Sequence, residues 1–69
     1  MNKTLYKEVI DSKGIKQKHL AKILGISEQA LIQKVNGIRS FKAEEIRIFK
    51  EELNLSTDLA WEIFLSDAS

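Results

Sequence analysis

The chain has no cysteine and no proline, and only three glycines, one histidine and one tryptophan among its 69 residues. Without cysteine there is neither a disulfide framework nor a thiolate metal site, a usage that fits a reducing compartment. A single histidine cannot build a zinc site alone. Without proline, low-complexity stretches or an internal repeat, nothing marks a linker, and residues 1–69 are read as one domain. Long apolar runs are missing too: no uncharged run exceeds five residues, whereas a membrane helix needs roughly 20. Charges at Lys3, Lys7 and Glu8 also interrupt any signal-peptide core. The expectation is a soluble, cytoplasmic protein with no membrane partner. A chain of this size buries only about 60% of the surface it exposes when unfolded, which leaves little room for a two-substrate cleft. The sequence also offers no nucleophile with a base and an orienting acid, no glycine-rich phosphate loop and no metal cluster. Neither an enzyme nor a cofactor or small-molecule substrate is expected.

The formal net charge of +1 hides a strong segregation. Residues 13–42 carry seven Lys or Arg against the single acid Glu28, a net +6, whereas residues 43–69 carry two basic residues against seven acids, a net −5. The first twelve residues balance at zero. A basic segment of this kind suits a polyanion, because each phosphate it neutralises releases condensed counterions. Lysine-rich helix surfaces are also ordinary solvated faces, so charge alone does not decide.

Apolar residues recur at spacings of three and four rather than alternating, which predicts an all-α fold of five helices. The first covers about Thr4 to Ser12, with Leu5 and Val9 one turn apart, Tyr6 and Ile10 flanking them, and Gly14 as terminator. Tyr6 is expected to pack with its hydroxyl at the rim. The second covers Gln17 to Leu24, turns Leu20, Ile23 and Leu24 inward and ends at Gly25. Ser27 caps the third, Glu28 to about Val35, which Gly37 closes, and Glu28 suits the positive end of that helix. The fourth covers about Lys42 to Leu53, with Ile46, Phe49 and Leu53 on one stripe and Asn54 as its cap. The fifth begins at Ser56 and carries Leu59, Ala60, Ile63 and Phe64 before a fraying end at Ser66 to Ser69.

The most informative stretch is Gln17 to Gly37, QKHLAKILGISEQALIQKVNG. Two short helices that meet steeply over a turn of this length need a small side chain where they approach, and Ala21 supplies it. The chain must then reverse in a backbone conformation that penalises a Cβ, which explains Gly25. Ile26 plugs the corner and Leu31 packs the third helix on the second. With Leu31 and Val35 inward, the helical period places Glu28, Gln29, Ile32 and Gln33 on the opposite face. A glutamine can bond an adenine edge at two points, an isoleucine can touch a thymine methyl, and a glutamate can accept from the cytosine amino group. Each such contact discriminates by about 1–3 kcal/mol.

Gln17, Leu20, Ala21, Leu24, Gly25, Ile26, Leu31, Asn36 and Gly37 stand at spacings that resemble the Cro and lambda-repressor-like (XRE-type) helix-turn-helix family, over about residues 4–55. The resemblance implies a five-helix DNA-binding domain with the helix-turn-helix in helices 2 and 3 (residues 17–37), and the third helix in the major groove of a double-stranded operator. It further implies base reading by Ser27, Glu28, Gln29, Ile32 and Gln33. It implies phosphate contacts from Gln17 with the flanking Lys16 and Lys18, and from Asn36, Arg39 and Lys42. At Lys34 the chain departs from the family, which places an apolar residue there. The expectation is that Val35 takes over part of that packing while the Lys34 stem lies on the surface and its ammonium reaches phosphate. Lys34-Val35-Asn36-Gly37, Phe41 with Glu45-Ile46, and Leu53-Asn54-Leu55-Ser56 before Ile63-Phe64 are similar to the short Cro-type regulators of temperate phages of Gram-positive bacteria. Such regulators act in the cytoplasm of the host, opposing the phage repressor in the lysis–lysogeny switch.

A second reading is an antirepressor that grips a partner phage repressor, with or without DNA; it is motivated by Ile32, Ile38, Glu28 and the acidic final third. Trp61 and Phe64 are either core and helix-cap residues or, in an exposed stripe with Leu65, a dimer seam or docking patch. Specific binding suggests two copies on half-sites about 34–36 Å apart, as a weak or DNA-dependent homodimer. An antitoxin-type regulator would share the same fold. His19 is read as a surface residue whose charge could make binding mildly pH-dependent.

Overall fold

A computed structural model of the chain describes residues 1–65. Five helices follow one another: α1 (Lys3–Ser12), α2 (Gln17–Leu24), α3 (Glu28–Val35), α4 (Ala43–Glu52) and α5 (Thr57–Phe64). There is no strand among the described residues, and no helix there is long and apolar enough to cross a membrane. The expected fraying at Ser66 to Ser69 lies outside the described residues.

The helices begin where short polar side chains can replace the missing intrahelical acceptors. Asn2 Oδ1 accepts from the Leu5 amide at 3.0 Å, Ser27 Oγ from Ala30 at 3.0 Å and Ser56 Oγ from Leu59 at 3.1 Å. The Asn2 cap starts α1 one residue before the expected Thr4. Lys42 likewise stands outside α4 as its cap residue, so that helix is one residue shorter at each end than its apolar pattern suggests.

Four helices end in the same way. At the end of α2 the Gly25 amide donates to the Lys22 carbonyl at 3.1 Å and the Ile26 amide to the Ala21 carbonyl at 3.0 Å, with Gly25 left-handed at φ 73°. The paired bonds recur after α1 and α3, each time on a Gly-Ile dipeptide, and after α4 on Asn54-Leu55. Asn54, at φ 53°, is the one non-glycine with positive φ among the described residues, a role asparagine tolerates better than most side chains. The apolar residue after each terminator folds back on its helix in three of these cases. Leu55 is buried, and Ile15 and Ile26 pack on the core. Ile38 instead stands 72% exposed.

One large, fully buried side chain comes from each helix: Tyr6, Leu20, Leu31, Phe49 and Ile63. α2 packs on α3 and α4, and α5 packs on α1 and α4. The Asn2 amide donates to the Ile63 carbonyl at 2.7 Å, which ties the start of the chain to α5. Phe49 stacks on Tyr6 at 5.9 Å and meets the edge of Phe64 at 4.9 Å, and Phe64 meets Phe41 at 5.1 Å. Phe64 is therefore half-buried as part of an aromatic chain, which takes it out of the exposed stripe with Trp61 and Leu65.

Three other expectations need correction. Ile23 is half-buried while Ala21 sits fully inside, because the close approach of α2 to its neighbours favours the smaller side chain. Ile46 is half-buried and yields the inner position on α4 to Glu45. The Tyr6 hydroxyl is enclosed without a hydrogen-bond partner, and burial pushes its pKa up to about 12.

Candidate nucleic-acid interface

α3 turns Leu31, Lys34 and Val35 inward, and the helical period leaves Glu28, Gln29 and Ile32 exposed on the other side, with Gln33 half-buried beside them. The Ser27 hydroxyl is occupied as the cap of α3, so its role there is to fix the first turn that carries Glu28 and Gln29. Gln33 also anchors the next loop, since its backbone carbonyl accepts from the Ile38 amide at 2.9 Å and from the Arg39 amide at 3.4 Å. α2 and α3 are joined through Gly25, Ile26 and Ser27 alone, so the outer edge of α3 has little freedom relative to α2.

Lys34 does not reach the surface. It is 5% exposed, and its ammonium donates to Glu45 Oε1 of α4 at 2.5 Å. The same carboxylate oxygen accepts the Lys42 amide at 2.8 Å and so closes the first turn of α4. Burial alone would raise the Glu45 carboxyl's pKa. The hydrogen bonds from Lys34 and from the Lys42 backbone, with the charges of both lysines, outweigh burial and hold it below the usual carboxylate value. The phosphate contact expected of Lys34 is thereby corrected: a buried charge needs a partner, and Glu45 is that partner. The aliphatic stem still fills the inward position, with the ammonium 6.0 Å from the centre of the Phe41 ring.

The remaining basic and polar candidates lie at the start of α2 and in the segment after α3. Lys16 and Lys18 are exposed on either side of half-buried Gln17 at the start of α2, and Asn36, Arg39 and Lys42 are exposed along the segment from α3 to α4. Asn36 is already engaged, its Oδ1 accepting from Lys3 Nζ of α1 at 2.8 Å. Lys3 and Lys7 line a cleft of about 200 Å³ together with Gln17, Ile32, Val35 and Asn36. Both lysines lie outside the basic segment of the sequence, because α1 precedes it. Their spacing of four along an amphipathic helix was the available signal, since it puts both on one exposed face. The Gln17 side-chain oxygen is enclosed without a partner.

The exposed surface of α3 thus carries amide donors and acceptors, one carboxylate and one aliphatic side chain, bordered by Lys3 and Lys7 of α1 and by Gln17 of α2. Such a surface can hydrogen-bond the edges of planar polar groups while lysines meet an anionic backbone. Among the four exposed large apolar side chains, Ile32 belongs to this face and Ile38 follows it in the loop. Trp61 and Leu65 belong to the C-terminal part. Comparison of the chain with family models, with curated proteins and with solved structures gives no match.

Proposed function

We propose that the chain is a sequence-specific DNA-binding transcriptional regulator in which α2 and α3 form a lambda-repressor-like helix-turn-helix and α3 enters the major groove of a duplex operator. The observation that carries this reading is the placement of Glu28, Gln29 and Ile32 outward on α3 while Lys3, Lys7 and Gln17 gather against its edge from two other helices. Gln29 and Gln33 suit adenine edges, Ile32 suits a thymine methyl and Glu28 suits a cytosine amino group. Lys16, Lys18, Gln17, Arg39 and Lys42 hold the flanking phosphates, and Lys3 and Lys7 extend that contact onto α1. Asn36 joins them by fixing Lys3. By its resemblance to Cro-type regulators, the chain acts as a repressor in a phage genetic switch, in the cytoplasm of a bacterial host.

A mobility-shift titration with the intergenic duplex beside its own gene tests the reading. Affinity is expected to exceed that for random duplex, and to fall with salt at a log–log slope of about −0.9 for each phosphate neutralised. Equal affinity for random duplex, or a flat salt response, would sink it.

The 72% exposure of Ile38, next to a face that carries both Ile32 and the acid Glu28, favours a second reading as an antirepressor. An apolar group and a carboxylate suit a partner repressor protein better than a phosphate backbone does. Size-exclusion chromatography with the neighbouring repressor decides this. A complex formed without DNA supports it, and its absence removes it.

A further inference from the structure

One carboxylate oxygen joins two parts of the candidate interface that the helices themselves leave loosely connected. Glu45 Oε1 accepts from the Lys34 ammonium of α3 and, at 2.8 Å, from the backbone amide of Lys42, the residue before α4. The Lys34 and Glu45 side chains are 4% and 9% exposed, so water competes little for either bond. α4 packs mainly on α2 and α5. The buried pair is therefore a tie from α4 across to α3.

Through that tie the segment between α3 and α4 is fastened to α3 at both ends. At its start, the Gln33 carbonyl accepts from the Ile38 and Arg39 amides. At its end, the Lys42 amide is held through Glu45 by Lys34, the next residue of the same helix. Ile38 supplies no apolar clamp there, being 72% exposed. A charge-assisted hydrogen bond is directional and fixes a distance, which a greasy contact does not.

We propose that Lys34 and Glu45 are positioning residues for base recognition, holding Arg39 and Lys42 at a fixed offset from Gln29 and Gln33 without touching DNA themselves. The proposal rests on the DNA-binding reading above. Phosphate contacts set the register of a protein on a duplex, and base contacts read its sequence. Slack between the two sets lets the phosphates stay bound while the glutamines miss their bases. Loss of the tie therefore costs discrimination and spares general affinity. The pair is buried and carries no net charge, so its removal leaves the count of phosphate-neutralising side chains, and with it the salt slope, unchanged.

The test uses Lys34→Met with Glu45→Leu, which removes the tie, keeps the net charge and fills the space. Operator and scrambled duplexes are titrated at several salt concentrations, and amide hydrogen exchange of the free protein is followed by NMR. Preference for the operator is expected to fall at least about tenfold. Affinity for the scrambled duplex and the salt slope stay with the parent, and the Lys42 amide exchanges faster. Glu45→Asp, which keeps both charges but shortens the reach, should fall between parent and double variant, and it decides the matter if the double variant does not fold. Leu59→Ala truncates a half-buried side chain of α5, lowers stability and should keep the preference, which separates positioning from stability. Full operator preference in the double variant or in Glu45→Asp overturns the inference and leaves the DNA-binding reading standing. Equal losses on both duplexes, or the same loss of preference in Leu59→Ala, also overturn it. A parent that does not distinguish operator from scrambled duplex overturns both.

Discussion

The two corners on either side of α3 have the same backbone and opposite chemistry. Each ends its helix on Gly-Ile, with the glycine left-handed and the isoleucine amide bonded back to a carbonyl five residues earlier. At the first corner Ile26 packs on the core and holds α3 against α2. At the second, Ile38 points to solvent, and the link from α3 to α4 is made by Lys34 and Glu45, eleven residues apart and both buried. Local sequence therefore sets the turn and not what locks it. One side of α3 is fixed by apolar contact, which tolerates small shifts, and the other by an ion pair, which is directional and intolerant of losing either partner.

The largest effect should come from breaking the ionic corner. Glu45→Gln leaves the Lys34 ammonium buried without a counter-charge and keeps only a neutral amide oxygen to accept the Lys42 amide that caps α4. A loss of about 3–5 kcal/mol is expected in urea unfolding. Replacing both partners together, as Lys34→Met with Glu45→Leu, should recover most of that loss, because an apolar pair of similar volume removes the desolvation penalty. A single variant as stable as the parent would show that the pair carries no weight.

The same pair sets a pH window. Glu45 titrates below its unfolded value, so the native state binds fewer protons at that site than the unfolded state does. Its contribution is fully present above the unfolded carboxylate range and lost as pH falls through the lower folded value. Stability measured from pH 7 down to about pH 3 should therefore decline below about pH 4.5. The decline should be smaller in the apolar double variant.

What could be read in advance follows how local each cause is. The bounds of α2 and α3 were legible because Gly25 and Ser27 are adjacent signals, one for stopping and one for starting, with apolar periods on both sides. Asn54 was legible for the same reason. The Lys34–Glu45 pair was not, since no period relates residues eleven apart on different helices, and a lysine in an inward position reads as a surface residue until its acid is found. Phe64 was ambiguous because helical spacing places it at the edge between the buried stripe and the exposed one. The rings of Phe41 and Phe49 draw it inward. Lys3 and Lys7 belong to a stretch whose charges balance along the chain, and the fold brings α1 to the basic segment only in space.

An intermediate effect separates reading from anchoring at the face that the two corners hold. Gln29→Ala and Gln33→Ala should each reduce preference for the operator by about 1–3 kcal/mol at one base position while leaving affinity for random duplex nearly unchanged. Lys18→Ala should instead weaken both duplexes alike and reduce the salt slope by about 0.9. Titration of each variant against operator and scrambled duplex at several salt concentrations separates the two patterns. If the glutamine variants behaved like the lysine variant, α3 would not be the reading helix.

The smallest expected effect on stability gives the sharpest test of the corners themselves. Ile26→Ala and Ile38→Ala delete the same atoms, each after a left-handed glycine, from two turns of the same backbone form. Ile26 is only half-buried, so its loss should fall at or below the low end of core truncations, about 1–2 kcal/mol in chemical denaturation. Ile38 leaves no cavity when it is truncated, and its loss should stay within about 0.5 kcal/mol. The two variants should then exchange rank in binding: Ile38→Ala should weaken a complex with a partner repressor, whereas Ile26→Ala should act only through stability. Equal destabilisation by both would mean that the Gly-Ile turn, rather than its packing, sets the strength of each corner. Ile38 would then need no partner to explain its exposure.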